Sequence, residues 1–232
     1  MKIGLALGAG AARGWTHLGI IERLEALGIK IDIVTGCSIG AYVGAAYASG
    51  NLSKLKEWAF DLSEWQVLRL LGIGISRGGL ASGQQVFQLL EDEFSATHFA
   101  DMRLPFAVTA SDLYSGREVV FQEGRVVDAV RASCAIPALF APVYHEGRWL
   151  VDGAVVNPVP VNLCRRLGAD FVIAVNLSAD FRPEMLDRHS VAHIKAQQKT
   201  DNLLADNQSL FKSWFSPDPK DDEPTPPGIM SV

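Results

Sequence analysis

The chain has 232 residues, 48% of them hydrophobic, which suits one domain with a substantial core. Its formal charge of −5 excludes a general affinity for nucleic acid or anionic membrane. Three cysteines, Cys37, Cys134 and Cys164, are too few and too odd in number for a disulfide framework and fit a reducing, cytoplasmic compartment.

The first residues, Met1–Leu7, carry one basic side chain and a short apolar run. That is too short for a membrane span and lacks the layout of a signal peptide, so Ile3–Leu7 reads as a buried strand. A helix follows from about Ala12 to Leu27, then a strand from Ile31 to Thr35, then a small-residue helix after Ser38. Such alternation predicts an α/β fold with a parallel sheet covered by helices. From Leu52 to Phe94 the pattern is helical and crowded with Trp58, Phe60, Trp65, Leu68 and Leu71, and a glycine-rich break at Gly72–Gly83 divides it. This cluster reads either as plain core or as a glycine-hinged cap whose apolar surface meets lipid. Lys54, Lys56, Arg69 and Arg77 read either as a local basic patch or as a solvated helix face.

Pro105–Ala110 reads as a strand, Tyr114-Ser115-Gly116 as a turn, and Glu118–Phe121 as the hairpin partner. A short helix near Val126 to Arg131 precedes a strand at Trp149–Val151, which ends on Asp152-Gly153. Val161–Leu167 reads as a helix and Phe171–Val175 as another buried strand. Beyond Ser178 the chain turns polar, and Pro217–Pro227 has the composition of a disordered linker. The chain reads as stopping just as another element would begin.

Gly36-Cys37-Ser38-Ile39-Gly40 places a serine between glycines where a strand becomes a helix. Such a turn pushes the hydroxyl out of the backbone, and the helix aims its first amides at charge developing there. The alternative is a glycine-rich turn that only lets a helix pack close to a sheet. Gly8-Ala9-Gly10-Ala11-Ala12-Arg13-Gly14, after the first strand, can point backbone amides at an anion. A dinucleotide loop is one reading. It meets Arg13 where a third glycine belongs, and Asp32 opens the second strand rather than closing it. The other reading joins the loop to Ser38 across neighbouring strand ends as an oxyanion hole. Arg13 then either positions an anionic substrate group or braces the loop.

Ser38 needs a base. A Ser–Asp–His order leaves His189 or His193, both in the polar tail, and His17 on the first helix reads as a packing residue. Asp152, at a strand end beside Gly153-Ala154, is the better candidate. Burial near few cations raises a carboxylate's pKa toward usefulness as a base. As an alternative, Asp152 caps the following turn. No cysteine or histidine pair has metal-ligand spacing.

Together the glycine loop with Arg13-Gly14, the Gly36–Gly40 elbow and Asp152-Gly153-Ala154 resemble the patatin-like phospholipase family, in the family's order. Ala129–Pro137 and Val151–Asn157 resemble its bacterial RssA-type subgroup, close to neuropathy-target-esterase proteins. The resemblance covers about Lys2 to Leu177. It implies a three-layer fold, a central mostly parallel sheet flanked by helices, with residues 1–177 as catalytic domain and 178–232 as a truncated polar tail. It implies a serine acyl hydrolase acting through an acyl-enzyme, with Ser38 as nucleophile, Asp152 as base and the amides of Gly10, Ala11, Ala12 and Arg13 as the oxyanion hole. The implied partner is a lipid acyl ester, a phospholipid or lysophospholipid, met in the cytoplasm or in transient contact with the inner membrane face, without nucleic acid, metal or other cofactor. The oligomeric state stays open. Ala9 and Ala11 stand where the family loop is usually glycine, and their methyls would narrow the hole. The rival expectation is a catalytically silent patatin-like module that binds lipid or regulates.

Overall fold

The computed structural model describes residues 1–62, 73–76, 79–81 and 83–178. Two parallel strands, β1 (Ile3–Leu7) and β2 (Ile33–Cys37), lie at its centre, with Gly4 opposite Ile33 and Leu7 opposite Gly36. Nearly every residue in them is buried, as expected of strands covered on both faces. Their side chains alternate. Leu5, Leu7 and Val34 enter the large core, whereas Ala6 and Ile33 enter a smaller one with Cys164 and Ala169 on the opposite face. Two cores on two faces make three layers.

A 3-10 turn at Ala11–Trp15 leads into α1 (Thr16–Ala26), which packs on the large core together with α2 (Ile39–Ser49) and α3 (Leu52–Phe60). Residues 73–76 and 79–81 form a separate antiparallel pair, β3 (Ile73–Ser76) and β4 (Gly79–Ala81). The pair lies inside the glycine-rich break that divides the helical pattern, a stretch for which the sequence reading named no strand. Ile73-Gly74-Ile75-Ser76 alternates with period two, and glycine beside a β-branched residue favours a strand over a helix. After them α4 (Gln84–Leu89) runs on into a single π turn at Leu90–Phe94. The expected cap residues Trp65, Leu68 and Leu71, with Arg69 and Arg77, lie outside the described residues. So do His189, His193 and the tail beyond Ser178.

The sheet continues with β5 (Phe106–Asp112), parallel beside β2, and β9 (Phe171–Val175), parallel beside β1. Against β5 lies β6 (Glu118–Phe121), the expected hairpin partner. A second hairpin, β7 (Val143–His145) and β8 (Arg148–Asp152), joins through β8, antiparallel to β5. Hydrogen-bonded neighbours follow the path β7-β8-β5-β2-β1-β9, with β6 also paired to β5. The remaining helices are α5 (Val126–Ser133) in the large core and α6 (Val161–Arg166), whose Cys164 fills the small one.

The central helix, α2, is buried almost all round. A helix so enclosed needs small residues where backbones approach. A Cβ on Gly44 would meet the Phe106 ring at 3.0 Å. At Gly40 it would overlap the carbonyl oxygens of both Leu7 and Gly8. Those atoms belong to the sheet's centre and its following loop, so neither can give way. We therefore expect Gly40→Ala to cost at least about 3 kcal/mol of stability in urea unfolding.

Candidate active site

The sheet register brings the two strand ends together. Since β6 occupies one edge of β5 over Val108–Ser111, β2 and β8 must share the other. β2 runs parallel to β5 and ends with Cys37 opposite Thr109. β8 runs the other way and ends with Asp152 opposite Ala110. The strands meet head to head at adjacent residues of β5. Ser38, the next residue after Cys37, thus abuts Asp152, and its Oγ donates to Asp152 Oδ2 at 2.6 Å. Both are buried, at 4% exposure each.

Ser38 adopts φ 54°, ψ −127°, a conformation an L-residue rarely holds. Such a residue stores roughly 1–3 kcal/mol of strain, retained only where the surroundings over-determine it. The constraints are visible. Ser38 donates its amide to Ser133 Oγ at 2.8 Å, and its carbonyl accepts from Ala41 and Tyr42 at 2.8 and 3.2 Å in the first turn of α2. Gly36 is equally necessary, because a Cβ there would overlap the backbone of Ala41. Ser133 is fully buried at the end of α5 and escaped the sequence reading. A lone serine in an apolar helix carries no signal until its partner is known.

Asp152 is fixed from three sides. Its amide donates to the Ala135 carbonyl at 2.9 Å, its carbonyl accepts from Ser111 Oγ at 2.9 Å, and its Oδ1 accepts from the Ala154 amide at 2.8 Å. The turn-capping role weighed from sequence is therefore present alongside the contact to Ser38. Gly153 is required here, since a Cβ would overlap the Thr109 carbonyl. Burial raises the Asp152 pKa above the ordinary carboxylate value, and the bonds from Ser38 and Ala154 offset part of that rise. Burial foremost, then the Asp152 charge, also pushes the Cys37 and Cys134 thiols up, so both remain protonated beside the pair. Beyond Asp152, Glu118 accepts from Thr109 Oγ1 at 3.0 Å, from Asn157 Nδ2 at 2.6 Å and from Asn162 Nδ2 at 3.0 Å, tying the loop after β8 to β5 and β6. Val155 and Val156, on that loop, are exposed.

The Gly8–Gly14 loop leaves β1 beside the start of α2. A Cβ on Gly14 would overlap the Ile39 side chain, which places the loop against the residue after Ser38. Arg13 donates its amide to the Gly10 carbonyl at 3.0 Å, closing the 3-10 turn, so in this conformation that N–H is already engaged. Among the described residues, no backbone carbonyl accepts from the amides of Gly10, Ala11 or Ala12. These remain able to receive an anion. Ala11 holds φ 46°, a left-handed conformation that suits glycine. Ala11→Gly should raise stability by about 1 kcal/mol, read as a higher urea midpoint with an unchanged slope.

The dinucleotide alternative separates in space. Asp32 Oδ2 accepts from the Ile3 amide at 2.9 Å, at the opposite end of β1 from the glycine loop. Among the described residues no histidine hydrogen-bonds Ser38 or Asp152: His17 bonds the Gly8 carbonyl, His98 stands 3.7 Å from Asp101, and His145 packs on the Phe121 ring. Nor, among the same residues, do three or more His, Cys, Asp or Glu side chains gather into a set able to hold a metal ion. No described helix is long and apolar enough to cross a membrane.

Residues 5–165 match the family model described as patatin-like phospholipase. An NTE family protein of Mycobacterium tuberculosis is 37% identical over 177 residues, covering 76% of this chain and 49% of that protein. A protein named lysophospholipase NTE1, of Mycosarcoma maydis, is 34% identical over 194 residues, covering 77% of this chain but 10% of its own length. The chain thus spans about half the length of the mycobacterial relative and much less of the fungal one. Among solved structures, VipD of Legionella pneumophila aligns with a TM-score of 0.45 at 13% identity, over 67% of this chain and 46% of VipD.

Proposed function

Because the chain belongs to the patatin-like phospholipase family, we propose that it is a serine acyl hydrolase acting on lipid esters through a Ser38–Asp152 dyad. The observation that carries the proposal is the 2.6 Å bond from Ser38 Oγ to a buried carboxylate, at the mouth of a helix and beside a loop whose Gly10, Ala11 and Ala12 amides meet no backbone carbonyl among the described residues. Ser38 Oγ attacks the acyl carbon while Asp152 takes its proton. The oxyanion is received by the amides of Gly10, Ala11 and Ala12, with Arg13 closing the turn that presents them. Collapse releases the alcohol, which regains the proton from Asp152. Water then attacks the acyl-enzyme, giving its proton to Asp152; the adduct collapses by breaking the bond to Ser38 Oγ, which takes that proton back from Asp152, and the free acid leaves. The cycle consumes only ester and water.

The substrate class rests on relatives named lysophospholipases and on the exposed Val155 and Val156 beside Asp152, which offer an apolar lip to an acyl chain. A phospholipid or lysophospholipid ester, met from the cytoplasm in transient contact with the inner membrane face, fits both. The test is a fluorophosphonate probe followed by mass spectrometry. A single adduct on Ser38, blocked by prior heating, is expected. No adduct on native protein would make the chain a non-catalytic module.

A further inference from the structure

His17 is fully buried on α1, bonds Gly8 rather than Ser38 or Asp152, and is not used by the mechanism above. Its Nε2 lies 2.8 Å from the Gly8 carbonyl oxygen, and its Nδ1 has no hydrogen-bond partner among the described residues. The tautomer follows from chemistry. Burial lowers the pKa of the ring and keeps it neutral, so it carries one proton. A carbonyl can only accept, so that proton sits on Nε2, and Nδ1 is a bare lone pair enclosed by protein. An enclosed lone pair without a partner costs stability that a methionine or phenylalanine would avoid. The single bond to Gly8 is what the histidine offers in return.

That bond falls at a decisive peptide. The Gly8 carbonyl and the Ala9 amide belong to one planar unit. Its oxygen is held by His17 and its N–H donates to the Pro158 carbonyl at 2.9 Å. A peptide plane gripped at both ends cannot rotate, so the direction in which the chain enters Gly10, Ala11 and Ala12 is fixed. The same oxygen lies against Gly40 in the first turn of α2, where a Cβ would overlap it. The Gly8 carbonyl is therefore the point where the anion-receiving loop, the helix after Ser38 and His17 converge.

We infer that His17 is a positioning residue for the reaction, holding the Gly8–Ala9 peptide through its Nε2 proton and thereby aiming the Gly10–Ala12 amides at the oxyanion. This rests on the esterase reading above and deepens it. Oxyanion donors act mainly in the transition state, so a misaimed loop lowers kcat and leaves KM nearly alone.

Glutamine and methionine test it, because they are nearly the same shape and only glutamine carries a donor near the Nε2 position. His17→Met should lower kcat by about 30-fold with KM changed less than about twofold, and His17→Gln should restore most of the loss. Rates are referred to folded sites counted by the fluorophosphonate label, so loss of fold does not imitate loss of aim. Equal kcat in the two variants overturns the inference. Two readouts do not depend on activity. Nitrogen NMR of the wild type should show His17 neutral and protonated on Nε2, and hydrogen exchange at the Ala9 amide should be faster in His17→Met than in His17→Gln. A proton on Nδ1 overturns it even if His17→Met fails to fold or turnover is absent, and equal exchange in the two folded variants overturns it even without turnover. Wild-type protein that neither labels at Ser38 nor cleaves ester refutes the esterase reading separately.

Discussion

Ser38→Ala is expected to reduce turnover of a short p-nitrophenyl ester by a factor on the order of 10⁴ or more, with the fold retained. The size follows from the chemistry, because no acyl-enzyme can form without the hydroxyl. Cys37 and Cys134, the neighbouring nucleophiles, are held protonated by burial and by the Asp152 charge, so neither can substitute. The fold should survive because the Ser38 backbone is gripped by its own bonds to Ser133, Ala41 and Tyr42 rather than by the hydroxyl. Circular dichroism and the thermal midpoint check that half of the expectation. Retention of more than about one part in a hundred of the activity would sink the assignment of the nucleophile.

Asp152→Asn should lower kcat by about a thousandfold, since an amide keeps the shape but cannot accept the proton. The same residue sets the pH dependence. The base must be ionised, so activity falls as pH drops through the Asp152 pKa, which burial places above the ordinary carboxylate value. The acid limb of kcat/KM should vanish in the residual activity of Asp152→Asn. Stability moves in the opposite sense. Because the folded pKa is raised, the folded protein holds this proton more tightly than the unfolded chain does. Its stabilising contribution is complete below the unfolded pKa and is lost as pH rises through the folded one. Asp152→Asn should therefore unfold at higher urea than wild type at neutral pH, with the advantage shrinking to nothing in strong acid. An advantage that grew in acid would contradict a buried, destabilising carboxylate. A gain in stability paired with a loss of turnover is the signature of a group kept for chemistry.

Much of this arrangement was legible in the chain. Alternating apolar runs and glycine punctuation located β1, β2, β5, β6 and β9, with β9 matching residue for residue, because buried strands leave a strong period-two or continuous apolar signal. Boundaries moved where turn geometry intervened. β2 begins at Ile33 rather than Ile31 and runs through Cys37, since the strand continues to the elbow itself. The first helix splits into a 3-10 turn and α1 because the Arg13 amide closes on Gly10. β7 went unread, being three residues with no face buried fully. Within the site, glycines and the Asp-Gly pair announced themselves by residue type. Ser133, Ser111 and Glu118 did not, because ordinary polar residues acquire meaning only from partners far along the chain, as in the separation of 95 residues between Ser38 and Ser133.

The head-to-head junction on β5 makes the spacing of the reacting pair independent of what lies between them in sequence. Ser38 and Asp152 are 114 positions apart, yet one strand acts as a gauge for both. Segments inserted or removed between α3 and β5, or between α5 and β7, need not alter the distance across that junction. The machinery is thus modular. A single rigid ruler can tolerate change in the intervening chain while the reacting pair stays in register.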